Sequence, residues 1–341
     1  MQVEVSSYCN AACIYCPHKV YRDIWLSRHL SLETFKRLKP AFAKTLMVYL
    51  QGWGEPLLHP EFFKMVSMAK AADCGVGTTT NGMLVGRETI LRLISSGVDV
   101  VAFSLAGVDE RNDSIRVGTK LEEILGSIKA LDRAKKERCV SRPAIHIAYL
   151  LLRSGLKDIE ALPALLHELG VAQALISTLD FVPAGKFEEE SLFVSDDEEY
   201  EAGRSLLDAV VASGERQGVR IHYHLPFRGT PRQTCTENVK QALFVSADGN
   251  ASSCVYTGIP ASKVSYMVRG VQRPYQRLTF GNVNERSLSA IWREKTYATF
   301  RKSFYAGGLS LVCQDCPKLY MGHRRTGDFG MNDYGLFTIQ I

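Results

Sequence analysis

The run Cys9-Asn10-Ala11-Ala12-Cys13-Ile14-Tyr15-Cys16 sets three cysteines within eight residues near the N-terminus. Their spacing is C-x3-C-x2-C, with an aromatic residue directly before the third cysteine. Three thiolates can hold three irons of a [4Fe–4S] cluster and leave the fourth iron without a protein ligand. Such an open iron can bind and reduce a small molecule, whereas a fully ligated cluster mainly passes electrons. Two other readings attach to the same residues. Buried cysteines are ordinary packing residues, but three so close together exceed what packing needs. A structural zinc site could use Cys9, Cys13 and Cys16 with His18 as the fourth ligand. Zinc fingers usually pair one C-x2–4-C with a second, distant pair, and here three ligands are bunched.

Composition narrows the setting. The 341 residues suffice for one large domain and a smaller one. Hydrophobic content of 46% and charged content of 23% are those of an ordinary globular protein. A net charge of +5 is mild and does not argue for a nucleic-acid partner. The acidic stretch from Glu188 to Glu201 and the basic stretches Arg133 to Arg142 and His323 to Arg325 read as solvated faces. Met1-Gln2-Val3-Glu4-Val5 has neither a basic region nor an apolar core, so no signal peptide is expected. No apolar run reaches membrane-spanning length. Nine cysteines in that context point to the reducing cytosol and to metal ligation rather than disulfides. The expectation is a cytoplasmic protein with no membrane partner.

Working outward, short β-branched runs alternate with helical patterns. Strands are expected at Gln2–Ser6, Leu46–Gln51, Gly75–Thr80, Val98–Ser104, Ile145–Leu151 and Ala174–Asp180. Helices are expected at Ser31–Ala43, with Ser31 as N-cap, and at Pro60–Ala72, Arg87–Ser95, Leu121–Lys136, Lys157–Leu169 and Asp196–Glu215. Six β–α units in succession imply a parallel sheet curled into a partial (β/α)6 TIM-like barrel, an α/β fold. Its active residues should lie at the C-terminal strand ends. Beyond about residue 222 the rhythm breaks. Asp248-Gly249-Asn250 reads as a hairpin turn between Ala242–Ser246 and Ser252–Tyr256, residues 260–280 as an extended loop, and Leu288–Phe304 as a helix. The expected domains are therefore residues 1–222 and a small α+β unit, residues 223–341.

The strand ends carry further motifs. The second ends in Gln51-Gly52-Trp53-Gly54-Glu55-Pro56, where glycines permit close backbone approach and free carbonyls can accept from an ammonium group. The third ends in Thr79-Thr80-Asn81-Gly82, which reads equally well as a polar turn. The fourth ends in Phe103-Ser104-Leu105-Ala106-Gly107, with Arg116 twelve residues after Ser104. A hydroxyl suits a ribose, and a guanidinium suits a carboxylate. Taken with the cysteine triplet, these segments resemble the radical S-adenosylmethionine (SAM) enzymes. The resemblance implies that Gln51, Gly52, Trp53, Gly54 and Glu55 stand for the "GGE" motif that holds the methionine amino group, with Trp53 intruding into its common form. It implies that Ser104 and Arg116 contact the ribose and carboxylate of SAM, that Tyr15, Gln51 and Asn81 also line the cofactor, and that Leu152 meets the adenine.

Four more cysteines, Cys235, Cys254, Cys313 and Cys316, lie beyond the barrel. Four thiolates can close a second [4Fe–4S] shell, and their spacing also admits a zinc ribbon. Ala242–Cys254, Phe280-Gly281-Asn282-Val283 and Leu288–Trp292 resemble the C-terminal SPASM or "twitch" domains of radical SAM enzymes. A complete SPASM domain has about seven cysteines and two auxiliary clusters. Four cysteines resemble the shorter twitch type, as in the butirosin-pathway alcohol dehydrogenase, and imply one auxiliary [4Fe–4S] cluster. Cys74 and Cys139 read as ordinary thiols.

The resemblance implies reductive cleavage of SAM and hydrogen abstraction from an unactivated carbon, with flavodoxin or ferredoxin as the electron donor. The first expectation is a two-electron dehydrogenation of a small molecule or peptidyl group, with the auxiliary cluster taking an electron. The alternative is a peptide maturase forming a thioether or carbon–carbon crosslink, and a third reading is a non-catalytic zinc scaffold. His146, which can face the barrel lumen or sit hydrogen-bonded in the core, Tyr149 and Asp180 are the catalytic candidates among the barrel residues.

Overall fold

Val100–Leu105 is buried at all six positions, as a parallel strand covered on both faces must be. It is the fourth of seven parallel strands: β1 (Gln2–Val3), β2 (Met47–Leu50), β3 (Gly75–Thr80), β4 (Val100–Leu105), β5 (Ala144–Leu151), β6 (Gln173–Thr178) and β7 (Arg220–Tyr223). The computed structural model describes residues 1–229, 235–306 and 308–320, so the basic run at 323–325 and the rest of the C-terminal tail lie outside the described residues. Helices between successive strands cover the outer face. Ser31 accepts from the Thr34 N–H and caps Leu32–Lys36, and Pro40 then opens a separate short helix, Lys39–Phe42, in place of one continuous helix. Asp196 caps Asp197–Arg216, with acids in the first turn and Arg216 in the last, a charge order that suits the helix dipole.

Side chains alternate across the strands. On β5, Ile145, Ile147, Tyr149 and Leu151 join the large core shared with helix residues Ile124, Ile128 and Leu162. Ala148 faces inward with Tyr49 and Ala102, and Leu150 meets Ala11, Cys13 and Tyr15.

The sheet does not stop at the barrel. It has ten strands in the order β12-β9-β8-β1-β2-β3-β4-β5-β6-β7, where β8 is Phe244–Val245, β9 Asn250–Ser252 and β12 Gly281–Asn282. β8 runs parallel to β1, with Gln2 opposite Phe244 and Val3 opposite Val245. β8 and β9 form a hairpin near the expected turn, but its second strand is Asn250–Ser252 rather than Ser252–Tyr256, and Val255–Thr257 is a helical turn; β12 adds to β9. Further features depart from the sequence reading. A seventh barrel strand, β7, follows the last helix, so the boundary expected after residue 222 falls inside a strand. Residues 260–280, read as loop, contain a second hairpin of β10 (Ser265–Val268) and β11 (Val271–Pro274); every residue of β11 is exposed, so no alternation betrays it. The helix expected over 288–304 breaks at Glu294, whose backbone is extended, into Leu288–Arg293 and Lys295–Ala306. Among the described residues no helix is long and apolar enough to cross a membrane.

The β8–β9 turn is locked by charge. Arg277 forks onto Asp248 (Nη1 to Oδ2 2.7 Å, Nη2 to Oδ1 3.0 Å), and Ser246 donates to the same carboxylate at 2.6 Å. Gly249 between them has φ +84°, and a Cβ there would sit 2.6 Å from the Asn284 amide, so glycine is required. Burial alone would raise the Asp248 carboxyl, but the bonds from Arg277 and Ser246 outweigh it and hold it well below the usual carboxylate range. A depressed carboxyl stabilises the fold above its unfolded pKa of about 4 and loses that contribution as pH falls through the folded value. Arg277→Met should therefore lower the thermal midpoint at pH 7, by the equivalent of about 3 kcal/mol for a broken partly buried pair. The deficit should shrink as the pH is taken below about 4; a deficit that stays constant down to acid pH counts against the lock.

Candidate active site

The cysteine loop hangs from the end of β1. Glu4, fully buried, accepts from the Trp53 N–H at 2.8 Å and the Ala247 N–H at 3.1 Å. Burial pushes its carboxyl up to about 7, against the pull of those two bonds. The Gly52–Glu55 loop lies directly on residues 4–8. A Cβ on Gly52 would be 2.3 Å from Glu4, and one on Gly54 would be 2.4 Å from the Ser6 and Tyr8 carbonyl oxygens. Both glycines are thus needed to seat the loop against the strand that carries the cysteines, a role beyond the ligand approach expected from sequence.

Glu55 ties this loop to the end of β3. Its carboxylate accepts from Thr80 Oγ1 at 2.9 Å, Leu57 N at 3.1 Å and Asn81 N at 2.7 Å, and burial raises its pKa. The Asn81 amide in turn donates to Asn10 Oδ1 at 2.7 Å, reaching into the cysteine loop itself. That loop also pairs with the segment after β4: Ala12 N donates to Val117 O at 2.6 Å and Ile14 N to Ile115 O at 2.9 Å. Arg116 within that segment is buried and donates from Nη1 to Tyr15 Oη at 2.8 Å. Burial alone would lower its pKa, but the neighbouring Tyr15 and cysteine side chains hold the guanidinium charged.

One cavity collects these groups. Cys9, Cys13 and Cys16 line it together with Tyr15, Gln51, the Gly52–Glu55 loop, Asn81, Ser104 and Arg116. Burial pushes the Cys9 thiol up to about 12 and raises that of Cys16, helped by the other cysteines. Without a cation these thiols stay protonated, whereas iron binds them as thiolates. Three converging thiols, a buried guanidinium with an Nε that has no partner among the described residues, and the Ser104 hydroxyl fit a [4Fe–4S] cluster carrying SAM. The zinc alternative fits less well: the His18 ring packs edge-on against Trp25, 5.2 Å between centroids.

A second, larger cavity of about 570 Å³ adjoins the first. Cys235, Cys254, Cys313 and Cys316 all line it. Burial pushes the Cys254 thiol up to about 11 and Cys313 to about 12, and raises Cys235 and Cys316 as well. Both C-x2-C turns are built alike, with Cys16 N donating to Cys13 O and Cys316 N to Cys313 O, each at 3.1 Å. Four residues line both cavities: Leu179, Asp180, Phe181 and Tyr256. The Trp53 indole also bridges the two, donating to Val255 O at 3.1 Å, one residue from Cys254.

Of the cofactor residues expected from sequence, only Leu152 does not line the first cavity. It packs behind, with Ala11, Cys13 and Tyr15, and Leu150 reaches the cavity instead. Of the catalytic candidates, Asp180 is at the site. His146 stands level with Ala102 and Gln173, low on the strands, and lines neither cavity. Burial, then Arg220 and Lys135, push its ring down to about 4. Tyr149 sits on the outward face of β5, buried in the helix-side core, and also lines neither cavity. Phe181 and Tyr256 went unnoticed in the sequence. Their only signal is position, directly after the sixth strand end and two residues after Cys254.

The radical SAM superfamily model matches residues 3–150, and the SPASM iron–sulfur cluster-binding domain model matches residues 235–317. A tungsten-containing aldehyde ferredoxin oxidoreductase cofactor-modifying protein from Pyrococcus furiosus is 25% identical over 326 residues, covering 93% of this chain and 86% of its own. An Fe-coproporphyrin III synthase from Methanosarcina barkeri is 25% identical over 302 residues, 84% of this chain and 71% of its own. The structure of Streptococcus suis SuiB bound to S-adenosylmethionine has the same fold, with a TM-score of 0.64 at 15% identity over 94% of this chain and 75% of that one.

The Asn81–Asn10 bond gives the site a specific test. Asn81→Ala removes the side-chain tie between β3 and the cysteine loop, so the N-terminal cluster should lose iron to a chelator several-fold faster than in the parent. The auxiliary cluster should be unaffected, as followed by the separate electron paramagnetic resonance (EPR) signals. Equal release rates would show that the tie does not hold the loop.

Proposed function

We infer that this chain, which belongs to the radical SAM superfamily and carries a C-terminal SPASM iron–sulfur domain, dehydrogenates a substrate held in the larger cavity. The superfamily's chemistry is the one-electron cleavage of SAM to methionine and a 5′-deoxyadenosyl radical that takes hydrogen from an unactivated carbon, and a second cluster can receive the electron left over. Cys9, Cys13 and Cys16 hold the catalytic cluster. Arg116 pairs the SAM carboxylate, Ser104 meets the ribose, and the backbone of Gly52–Gly54 receives the amino group. Cys235, Cys254, Cys313 and Cys316 hold the auxiliary cluster.

The observation that carries this reading is the shared wall. Leu179, Asp180, Phe181 and Tyr256 face the SAM side and the auxiliary-cysteine side at once. A substrate against that wall has the radical source on one side and an electron acceptor on the other. Loss of a hydrogen atom to the radical, then of one electron to the acceptor and one proton to a base, amounts to a two-electron oxidation. The cavity of about 570 Å³, less the space that the auxiliary cluster fills beside its four cysteines, suits a small molecule or the side chain and flanks of one peptide residue.

The alternative is maturation of a peptide through a thioether or carbon–carbon bond. It is favoured by β11, which is exposed at every residue, while Arg273 and Pro274 of the same strand line the cavity, so an extended chain could run along it. SuiB, of the same fold, has been solved with its precursor peptide SuiA bound. A precursor peptide that raises 5′-deoxyadenosine formation, where small molecules do not, would decide for this alternative.

Anaerobic reconstitution should load about eight irons and eight sulfides per chain. With dithionite and SAM, the holoenzyme should form 5′-deoxyadenosine. Cys13→Ala should abolish it, and Cys316→Ala should leave uncoupled cleavage while losing oxidised product. Stoichiometric zinc without labile sulfide would sink the whole reading, and wild-type turnover by Cys316→Ala would sink the electron-acceptor role.

A further inference from the structure

The four auxiliary cysteines come from three separate stretches of chain, and one ammonium group meets all three. Lys318 lies two residues after Cys316, and its Nζ is 3.6 Å from Oε1 of Glu237, two residues after Cys235. The same Nζ is 5.9 Å from the ring centroid of Tyr256, two residues after Cys254. Its shortest contact, 2.9 Å, is to Oδ2 of Asp180, just beyond β6 of the barrel. The Lys318 carbonyl also accepts the Thr236 N–H at 3.3 Å. The Lys318, Asp180 and Glu237 side chains are only 5%, 1% and 2% exposed.

Stability alone does not explain such a triad. Desolvating each ion costs several kcal/mol, and apolar residues of the same volume are often as stabilising. The triad supplies two things that apolar packing would not. It fixes three ligand-bearing loops to one point of the barrel, and it buries a cation two residues along the chain from Cys316. A four-thiolate cluster is anionic and gains a further negative charge on reduction. A nearby cation stabilises the reduced state, and nearby carboxylates oppose it.

We propose that Lys318 is the positioning residue of the auxiliary site: it gathers the three cysteine-bearing segments onto the end of β6 and holds the cluster's potential above the value that Asp180 and Glu237 alone would set. This rests on the reading of Cys235, Cys254, Cys313 and Cys316 as cluster ligands. It does not need the substrate, so it can fail independently of the dehydrogenation.

The test is an EPR-monitored redox titration of the full chain, reconstituted anaerobically, without substrate. Lys318→Met should move the auxiliary midpoint to more negative potential, and Lys318→Arg should keep it near the parent value. Asp180→Asn breaks the same contact but removes a negative charge, so it should move the midpoint the other way. Opposite signs from two substitutions at one contact are not what a purely structural defect gives. Should Lys318→Met lose the auxiliary iron, about half the total, while Lys318→Arg keeps it, the positioning role is supported and Asp180→Asn alone decides the charge role. A Lys318→Met protein with full iron and an unmoved midpoint overturns the proposal, as does a shift of the same sign in Lys318→Met and Asp180→Asn. Shifted potentials in the variants, together with no dehydrogenated product from the parent chain, would sink the proposed function and leave this inference standing.

Discussion

The pairing of β1 on both of its edges is the constraint on which the rest depends. Gln2 and Val3 face Tyr49 and Leu50 on one side and Phe244 and Val245 on the other. The Met1 nitrogen donates to Met47 O at 2.9 Å. A two-residue strand has little stability of its own, so it holds only because both neighbours are present. Through it the barrel and the auxiliary hairpin become one sheet. Glu4, the next residue, repeats the bridge with its side chain, one carboxylate oxygen to Trp53 and the other to Ala247. The cysteine loop therefore starts from a strand clamped by both halves of the protein, and the two cluster sites share a rigid frame.

Most of the barrel was legible because buried parallel strands are nearly continuous apolar runs between turn signals. β3 and the helix Arg87–Ser95 fall where periodicity and capping place them. The cysteines were legible because thiols at such spacing have few other uses. What escaped was written in tertiary contact. β7 is only four residues long and begins with an exposed arginine, so it gives no run to read. β10 and β11 pair only with each other, which leaves β11 wet along its length. His146 and Tyr149 look alike in sequence, three apart on one strand, yet register puts the first low in the lumen and the period of two puts the second outside it. Leu152 sits just past the end of that strand, and there the lumen-facing series reaches the cavity at Leu150. Asp180 was visible as a strand-end carboxylate, but its partner Lys318 is 138 positions along the chain and no local pattern joins them.

The two sites use the same cysteine turn in different electrostatic settings. Beside Cys9 and Cys13 stands one buried guanidinium, Arg116, whose Nε has no partner among the described residues. That spare donor suits a carboxylate. Near the auxiliary cysteines along the chain, the buried Lys318 already faces Asp180 and Glu237. The two groups of thiols thus differ in what charge remains unanswered around them.

Trp53 shows how a departure from a common motif can be put to use. Gly52 and Gly54 are closed to any side chain by Glu4 and by the backbone of residues 6–8, so within residues 52–54 it is Trp53 that reaches outward. Its main-chain N–H goes to Glu4, which also holds Ala247 ahead of β9, and its indole N–H goes to Val255 beyond β9. The ring meets Tyr256 at 5.8 Å and Phe181 at 6.4 Å, two of the residues common to both cavities. Trp53 thereby joins its own loop to the auxiliary hairpin twice, through Glu4 by its main chain and at Val255 by its side chain. Any movement of residues 52–54 must either carry the segment beside Cys254 with it or break a hydrogen bond whose loss, when buried, costs about 1–3 kcal/mol. A glycine at that position would seat the loop and keep the main-chain bond to Glu4, but would lose the indole bond to Val255.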